Sequence, residues 1–173
     1  MAIILAIDPG PAISTWVVYD PSRIVDHDPQ RPQPVVKIGR GCENNVVREL
    51  LYDRPQVQHV VCEDIECFGM AVGSETFQTV RWTGRFEEIC FRESLPFDLV
   101  ARSAVKLHLC GSRTARDPNI RMALLDRFGP GQDKAIGTKA TPGPLYGVAG
   151  HAWSALALAV TWCGLLAEQA PAS

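Results

Sequence analysis

A mixed α/β fold, with five strands in one sheet and helices on its flanks, follows from three features of the chain. Short apolar runs bounded by turn residues alternate with segments of helical period. Two of those runs, Ile3-Ile4-Leu5-Ala6-Ile7 and Val60-Val61-Cys62, each stop at an acid, Asp8 and Glu63. Three strands, a helix, a strand, a helix, a strand and then only helices is the element order of a mixed sheet.

Residues 3–8 are too short and too β-branched for a helix, and Pro9-Gly10 stops them, so they form the first strand. Residues 14–19 (Ser-Thr-Trp-Val-Val-Tyr) form the second, and the Pro/Gly turn makes the pair an antiparallel hairpin. Residues 20–34, rich in Pro, Asp and Gln, read as a long loop, and Val35-Val36-Lys37-Ile38 as a short third strand. Val46, Val47, Leu50 and Leu51 recur at helical spacing over residues 43–52, which Asp53-Arg54-Pro55 terminates. Residues 58–63 are the fourth strand.

Ser74, with Glu75 behind it, is expected to cap a helix running to about Arg92. Trp82, Phe86, Ile89 and Cys90 form its core stripe; Arg81, Arg85, Glu88 and Arg92 form the opposite one. Residues 96–100 are the fifth strand. Helices follow at 103–109, 118–128 and 148–168, and the Gly/Pro/Lys-rich residues 129–147 are expected to be a mobile loop.

At 173 residues the chain reads as a single domain, 1–173, large enough to bury a core. Its net charge of −2 excludes a general polycation, so any nucleic-acid contact must be local. Residues 102–139 supply that locality, with eight Lys and Arg against three Asp. Six cysteines show no CxxC pair and no zinc spacing, and nothing marks secretion, so a reducing cytoplasm is expected. The segment 148–167 carries only His151 as a potential charge, yet its hydrophobicity is modest. It reads as a buried core helix, with no membrane partner.

The chemistry starts from Asp8 and Glu63. The C-terminal edge of an α/β sheet is where ligands collect. Two carboxylates there cannot sit close in a dry core without a counter-ion. Hard Mg²⁺ or Mn²⁺ ions take oxygen ligands and keep positions for water and phosphate. Two such ions about 3.5–4 Å apart can drive phosphodiester hydrolysis. His151, after Gly150 near the start of the last helix, is the candidate third ligand. Ser154, one turn on, reads as a small packing residue.

Three segments resemble the RuvC-type Holliday junction resolvases of the RNase H-like nuclease superfamily, above all their phage and prophage members. They are Ala6-Ile7-Asp8-Pro9-Gly10, Cys62-Glu63-Asp64-Ile65 with Phe68-Gly69-Met70, and Gly150-His151-Ala152-Trp153-Ser154-Ala155-Leu156-Ala157. Ala104-Val105-Lys106, then Gly111 and Ala115-Arg116, resemble the family's basic segment. The resemblance implies an RNase H-like sheet and a metal-dependent endonuclease that cuts branched DNA as a homodimer. It acts in the cytoplasm of a bacterial or phage-infected cell. Asp8, Glu63 and His151 would hold two Mg²⁺ or Mn²⁺ ions. Lys106 would neutralise the scissile phosphate. Arg113, Arg116 and Phe68, as an aromatic wedge, would contact DNA. Arg81 and Arg85, on the exposed stripe of the long helix, are expected to meet a DNA backbone or a second subunit.

The chain departs from the family where Ser154 stands in place of an acid and where Ala115-Arg116-Asp117 inverts an acid-then-base order. A disarmed, structure-specific DNA-binding protein of the same fold is the alternative reading. An RNA-processing relative shares the site chemistry, and an actin-like ATPase would need a second such domain.

Overall fold

The sheet grows in both directions from its first strand. In the computed structural model, which describes residues 2–23, 33–53, 56–67, 69, 71–129 and 131–169, β1 (Ile4–Asp8) lies at its centre. On one side β2 (Ile13–Tyr19) and then β3 (Val35–Glu43) add antiparallel. On the other, β4 (His59–Asp64) and then β5 (Phe97–Ala101) add parallel, giving the order β3-β2-β1-β4-β5. This is the RNase H-like mixed five-stranded sheet flanked by helices that the sequence predicts. The parallel half matters most for function, because β1, β4 and β5 all deliver their C-terminal ends to one edge.

Strand alternation divides the core into two layers. Ile4, Ala6, Val17, Val61 and Val100 point to one face and pack against α6 (Ala152–Gln169), together with α3 (Arg102–Cys110) and α4 (Asp117–Phe128). Leu5, Ile7, Trp16, Val60 and Cys62 point to the other, against α1 (Asn44–Asp53) and α2 (Ser74–Arg92). The run from Ala152 to Trp162 shows why α6 is so apolar: it crosses β1, β2 and β4 with Ala155, Leu156 and Leu158 out of solvent. Each such leucine contributes about 1.5–3 kcal/mol. No helix among the described residues is long and apolar enough to cross a membrane.

Three expectations change. The third strand runs on to Glu43, through Gly39-Arg40-Gly41, which reads locally as a turn. Gly39 is needed there because a Cβ would sit 2.1 Å from the Trp16 indole of the neighbouring strand. Ser74 is not the cap of α2 but its first residue; Gly73 holds the cap position without a side-chain bond. Residues 129–147 are not a free loop in their described part. A one-turn helix, α5 (Gln132–Ala135), interrupts them. Backbone bonds from Gly143 to Ile136 and from Leu145 to Ala135, with the Leu145 side chain buried, tie the segment to the core.

Candidate functional site

Asp8 ends β1, and the turn that follows is braced by polar groups far away in sequence. Ser14 donates to Asn44 Oδ1 at 2.6 Å, and Asn44 Nδ2 donates to the Gly10 carbonyl at 2.9 Å. The Gly10 N–H reaches Ser14 Oγ at 3.3 Å. A Cβ on Gly10 would meet the Ile13 carbonyl oxygen at 2.3 Å, so only glycine closes this turn. Asn44 is buried at the start of α1, where its amide is satisfied by the turn it fixes.

Glu63 lies on β4 beside Asp8. The register pairs Ile7 with Cys62, and one further step aligns the two acids. They share the parity of Ala6 and Val61, so both project to the α6 face. Both carboxyls are pushed above their ordinary range. For Glu63 burial is the largest cause and takes it to about 7; Asp8 adds repulsion, and Arg102 pulls the other way. For Asp8 burial again dominates, opposed by the neighbouring His151 and then by Arg102.

His151 stands one residue before α6. Gly150 turns the chain there with φ +55°, a backbone state that β-carbons disfavour. The imidazole Nδ1 lies 3.1 Å from Asp8 Oδ2, a hydrogen bond across 143 residues of sequence, while the ring itself is 82% exposed. With Nδ1–H donated to Asp8, a neutral ring keeps its lone pair on Nε2.

Sequence reasoning missed two residues here. Arg102 opens α3 directly after β5, and its guanidinium spans two acids: Nη2 to Asp117 Oδ1 at 2.5 Å and Nη1 to Glu63 Oε2 at 3.4 Å. Burial alone would lower its pKa, but Glu63 and Asp117 more than offset this and raise it. Asp117 opens α4; the sequence marks it only as the end of the inverted Ala115-Arg116-Asp117 order, not as a partner of Arg102. Glu66 fixes the neighbouring loop by accepting from both the N–H and the hydroxyl of Ser103, at 2.9 and 2.8 Å.

Two grooves meet at His151. One, about 390 Å³, is lined by Asp8, Gly10, Thr15, Arg40 and His151 among others. The second, about 370 Å³, runs past Asp117, Arg121, His151, Trp153 and Ser154, with Arg121 stacked over the Trp153 ring at 5.2 Å. Ser154 therefore borders the site without contributing charge. Lys106 lies one turn along α3 from Arg102, and it is Arg102 that reaches Glu63. Arg113 and Arg116 are exposed on the connection into α4, beside Asp117. Arg81 and Arg85 line a separate groove with Arg48 and Arg92 between α1 and α2, in the layer on the far side of the sheet. Phe68 lies outside the described residues.

The donors suit a hard divalent cation. Two desolvated carboxylates lack full compensation, an imidazole stands at the rim, and a guanidinium already serves as a monovalent cation against one of them. Among the described residues, no three His, Cys, Asp or Glu side chains converge closely enough to grip one ion. Asp8 and His151 touch, while Glu63 is engaged by Arg102.

The fold has known counterparts. The chain is similar to a Thermus thermophilus RuvC structure at 15% identity and TM-score 0.63, covering 96% of each chain. It is also similar to T. thermophilus RuvC in complex with a Holliday junction substrate, at 17% identity and TM-score 0.65, covering 98% of this chain and 97% of the other. No protein-family model matches the sequence, and no curated protein matches it.

Proposed function

We propose that this chain is a divalent-metal-dependent endonuclease that hydrolyses phosphodiester bonds in branched DNA, with four-way junctions as substrate. The observation that carries the reading is the pair of desolvated acids, Asp8 and Glu63, in register on adjacent parallel strands beneath His151. The fold is that of a RuvC captured on a junction, which supports branched DNA as the partner. The phage and prophage members are the expected nearest kin. The working unit is a cytoplasmic homodimer of single-domain protomers, one site per cut strand.

Asp8, Glu63 and His151 would hold Mg²⁺ or Mn²⁺. A metal centre held there would supply Lewis-acid activation of water and charge neutralisation at the phosphate. The chain's own residues do the rest. Desolvation keeps the two carboxylates short of positive charge and so ready to bind it. Asn44 and Ser14 hold the Asp8 turn in place. The DNA backbone runs along the grooves that meet at His151, with Arg40 and Arg121 on either side and Arg113 and Arg116 at the outer end. Lys106, one turn beyond Arg102, adds positive potential to that end of the track. Arg81 and Arg85 serve a second stretch of the branched substrate.

The test is cleavage of a synthetic four-way junction and of plain duplex, with Mg²⁺ and Mn²⁺ compared. The reading predicts junction cleavage that depends on metal and spares duplex. A second reading, a non-catalytic junction-binding protein, is favoured by Ser154, which leaves the α6 turn without the family's acid. Junction binding without cleavage in either metal supports that reading instead.

A further inference from the structure

We infer that Arg102, held in place by Asp117, is the residue that contacts the phosphate at this site, passing a donor from Glu63 to the DNA when a divalent ion takes Glu63. The inference rests on the nuclease reading and concerns how its site changes from the resting to the loaded state.

The guanidinium contacts are unequal. The bond to Asp117 is short and charge-assisted, at 2.5 Å; the contact with Glu63 is stretched, at 3.4 Å. Asp117, though 77% exposed, orients the guanidinium, and the longer contact leaves the edge toward Glu63 available. That edge points at Glu63, which the proposed reaction requires as a metal ligand. A divalent cation on Glu63 repels a guanidinium beside it, and a phosphate oxygen entering the groove offers it a better acceptor. Arg102 is only partly exposed, at 24% of its side chain, so its charge is weakly screened and strongly felt by whatever anion replaces Glu63.

Placement supports the same role. Arg102 follows β5 without a spacer, so the parallel register that sets Glu63 beside Val100 also sets Arg102 at the carboxylate edge. Asp117 lines the groove that also holds His151 and Ser154, and its bond to Arg102 sets that guanidinium beside the groove's edge. Asp117 is thus a positioning residue: it acts on the phosphate through Arg102.

The experiment compares the parent chain with Arg102→Gln, Arg102→Lys, Asp117→Asn and Asp8→Asn, using two readouts besides cleavage. The first is Mn²⁺ binding by calorimetry. The second is four-way junction binding by fluorescence anisotropy across a salt series in Ca²⁺. Arg102→Gln is expected to bind Mn²⁺ several-fold more tightly, about fivefold, because a competing cation is gone. It is also expected to bind junction about tenfold more weakly, with the salt slope lower by about one. Arg102→Lys should retain part of the junction affinity, lacking the planar fork that Asp117 orients. Asp117→Asn should weaken junction binding less than Arg102→Gln does, and adding Arg102→Gln to it should cost little more. Parental junction affinity and salt slope in Arg102→Gln, with melting temperature intact, overturn the inference. Asp8→Asn is the control on the underlying reading: it must lose Mn²⁺ binding, and if it keeps parental affinity the metal site itself is elsewhere.

Discussion

Two aspartate–histidine pairs sit at opposite ends of the same parallel strands, and they are built for different ends. At the strand starts, Asp98 Oδ2 accepts from His59 Nε2 and from Trp162 Nε1, both at 2.8 Å. His59 also packs tilted against Trp162, centroids 4.2 Å apart, so β4, β5 and α6 are clamped together. At the strand ends, Asp8 meets His151 at 3.1 Å beside a second, largely desolvated acid, and both acids are raised by burial. The pair itself is therefore no signature of chemistry. What separates the two is solvent and compensation. Asp98 is 52% exposed and has two donors; Asp8 and Glu63, at 16% and 15%, share one desolvated corner with too little positive charge, which is the condition for recruiting a cation.

The contrast is sharpest under substitution. Asp8→Asn should abolish cleavage, by about 10³-fold or more, while junction binding survives, whereas Asp98→Asn should leave the cleavage rate intact and cost about 1–3 kcal/mol of stability. Single-turnover kinetics with denaturant melts reads both, and a cleavage loss at Asp98 that matches Asp8 would erase the distinction. The histidines come next. His151→Ala should slow cleavage by about 10–100-fold and His151→Asp should retain or improve Mg²⁺-supported cleavage, since both alter a ligand position. His59→Ala should lower the melting temperature alone. Cleavage at the parental rate by His151→Ala removes it from the ligand set.

Glu63 tests the resting electrostatics. Its carboxyl binds a proton more tightly folded, with a pKa of about 7, than unfolded, near 4.5. The folded state is thus favoured by protons. That stability is fully present below the unfolded value and is lost as pH rises through about 7. Glu63→Gln should therefore raise the stability of the metal-free protein by about 1–2 kcal/mol at alkaline pH and change it little in acid, even as it removes cleavage. Denaturant midpoints across pH in EDTA check this; a variant less stable than the parent at every pH contradicts it. The smallest effect is Ser154→Asp, expected to raise Mg²⁺-dependent cleavage about two- to fivefold by returning an acid to the groove.

Much of the fold was legible because its signals are local. β1 and β4 are apolar runs ended by acids, and α6 is apolar on nearly every side because it lies across the sheet. Asp8 and Glu63 stood out for the same reason, as acids where apolar strands stop, whereas His151, one residue before α6, stood out as a candidate only with the family resemblance. Arg102 and Asp117 were visible only as the start of a basic stretch and the end of an inverted acid–base order, and nothing local joins them. Their meaning arises only when β5 pairs with β4 and α4 folds back beside α3, bringing together residues 15 and 39 positions apart. Asn44 was hidden likewise, as one polar residue at a helix start whose partners are Gly10 and Ser14. The extension of β3 was masked by Gly39-Arg40-Gly41, where the glycine serves cross-strand packing against Trp16 and not a turn.

Anomalous diffraction from crystals soaked in Mn²⁺ tests the central claim most directly. The account predicts a peak at the Asp8 end of the strands, within about 2.0–2.4 Å of carboxylate oxygens of Asp8 and Glu63 and in reach of the His151 ring, with Arg102 moved off Glu63. No peak at that corner in saturating Mn²⁺, or a peak that leaves Glu63 bonded to Arg102 and gathers elsewhere, would contradict it.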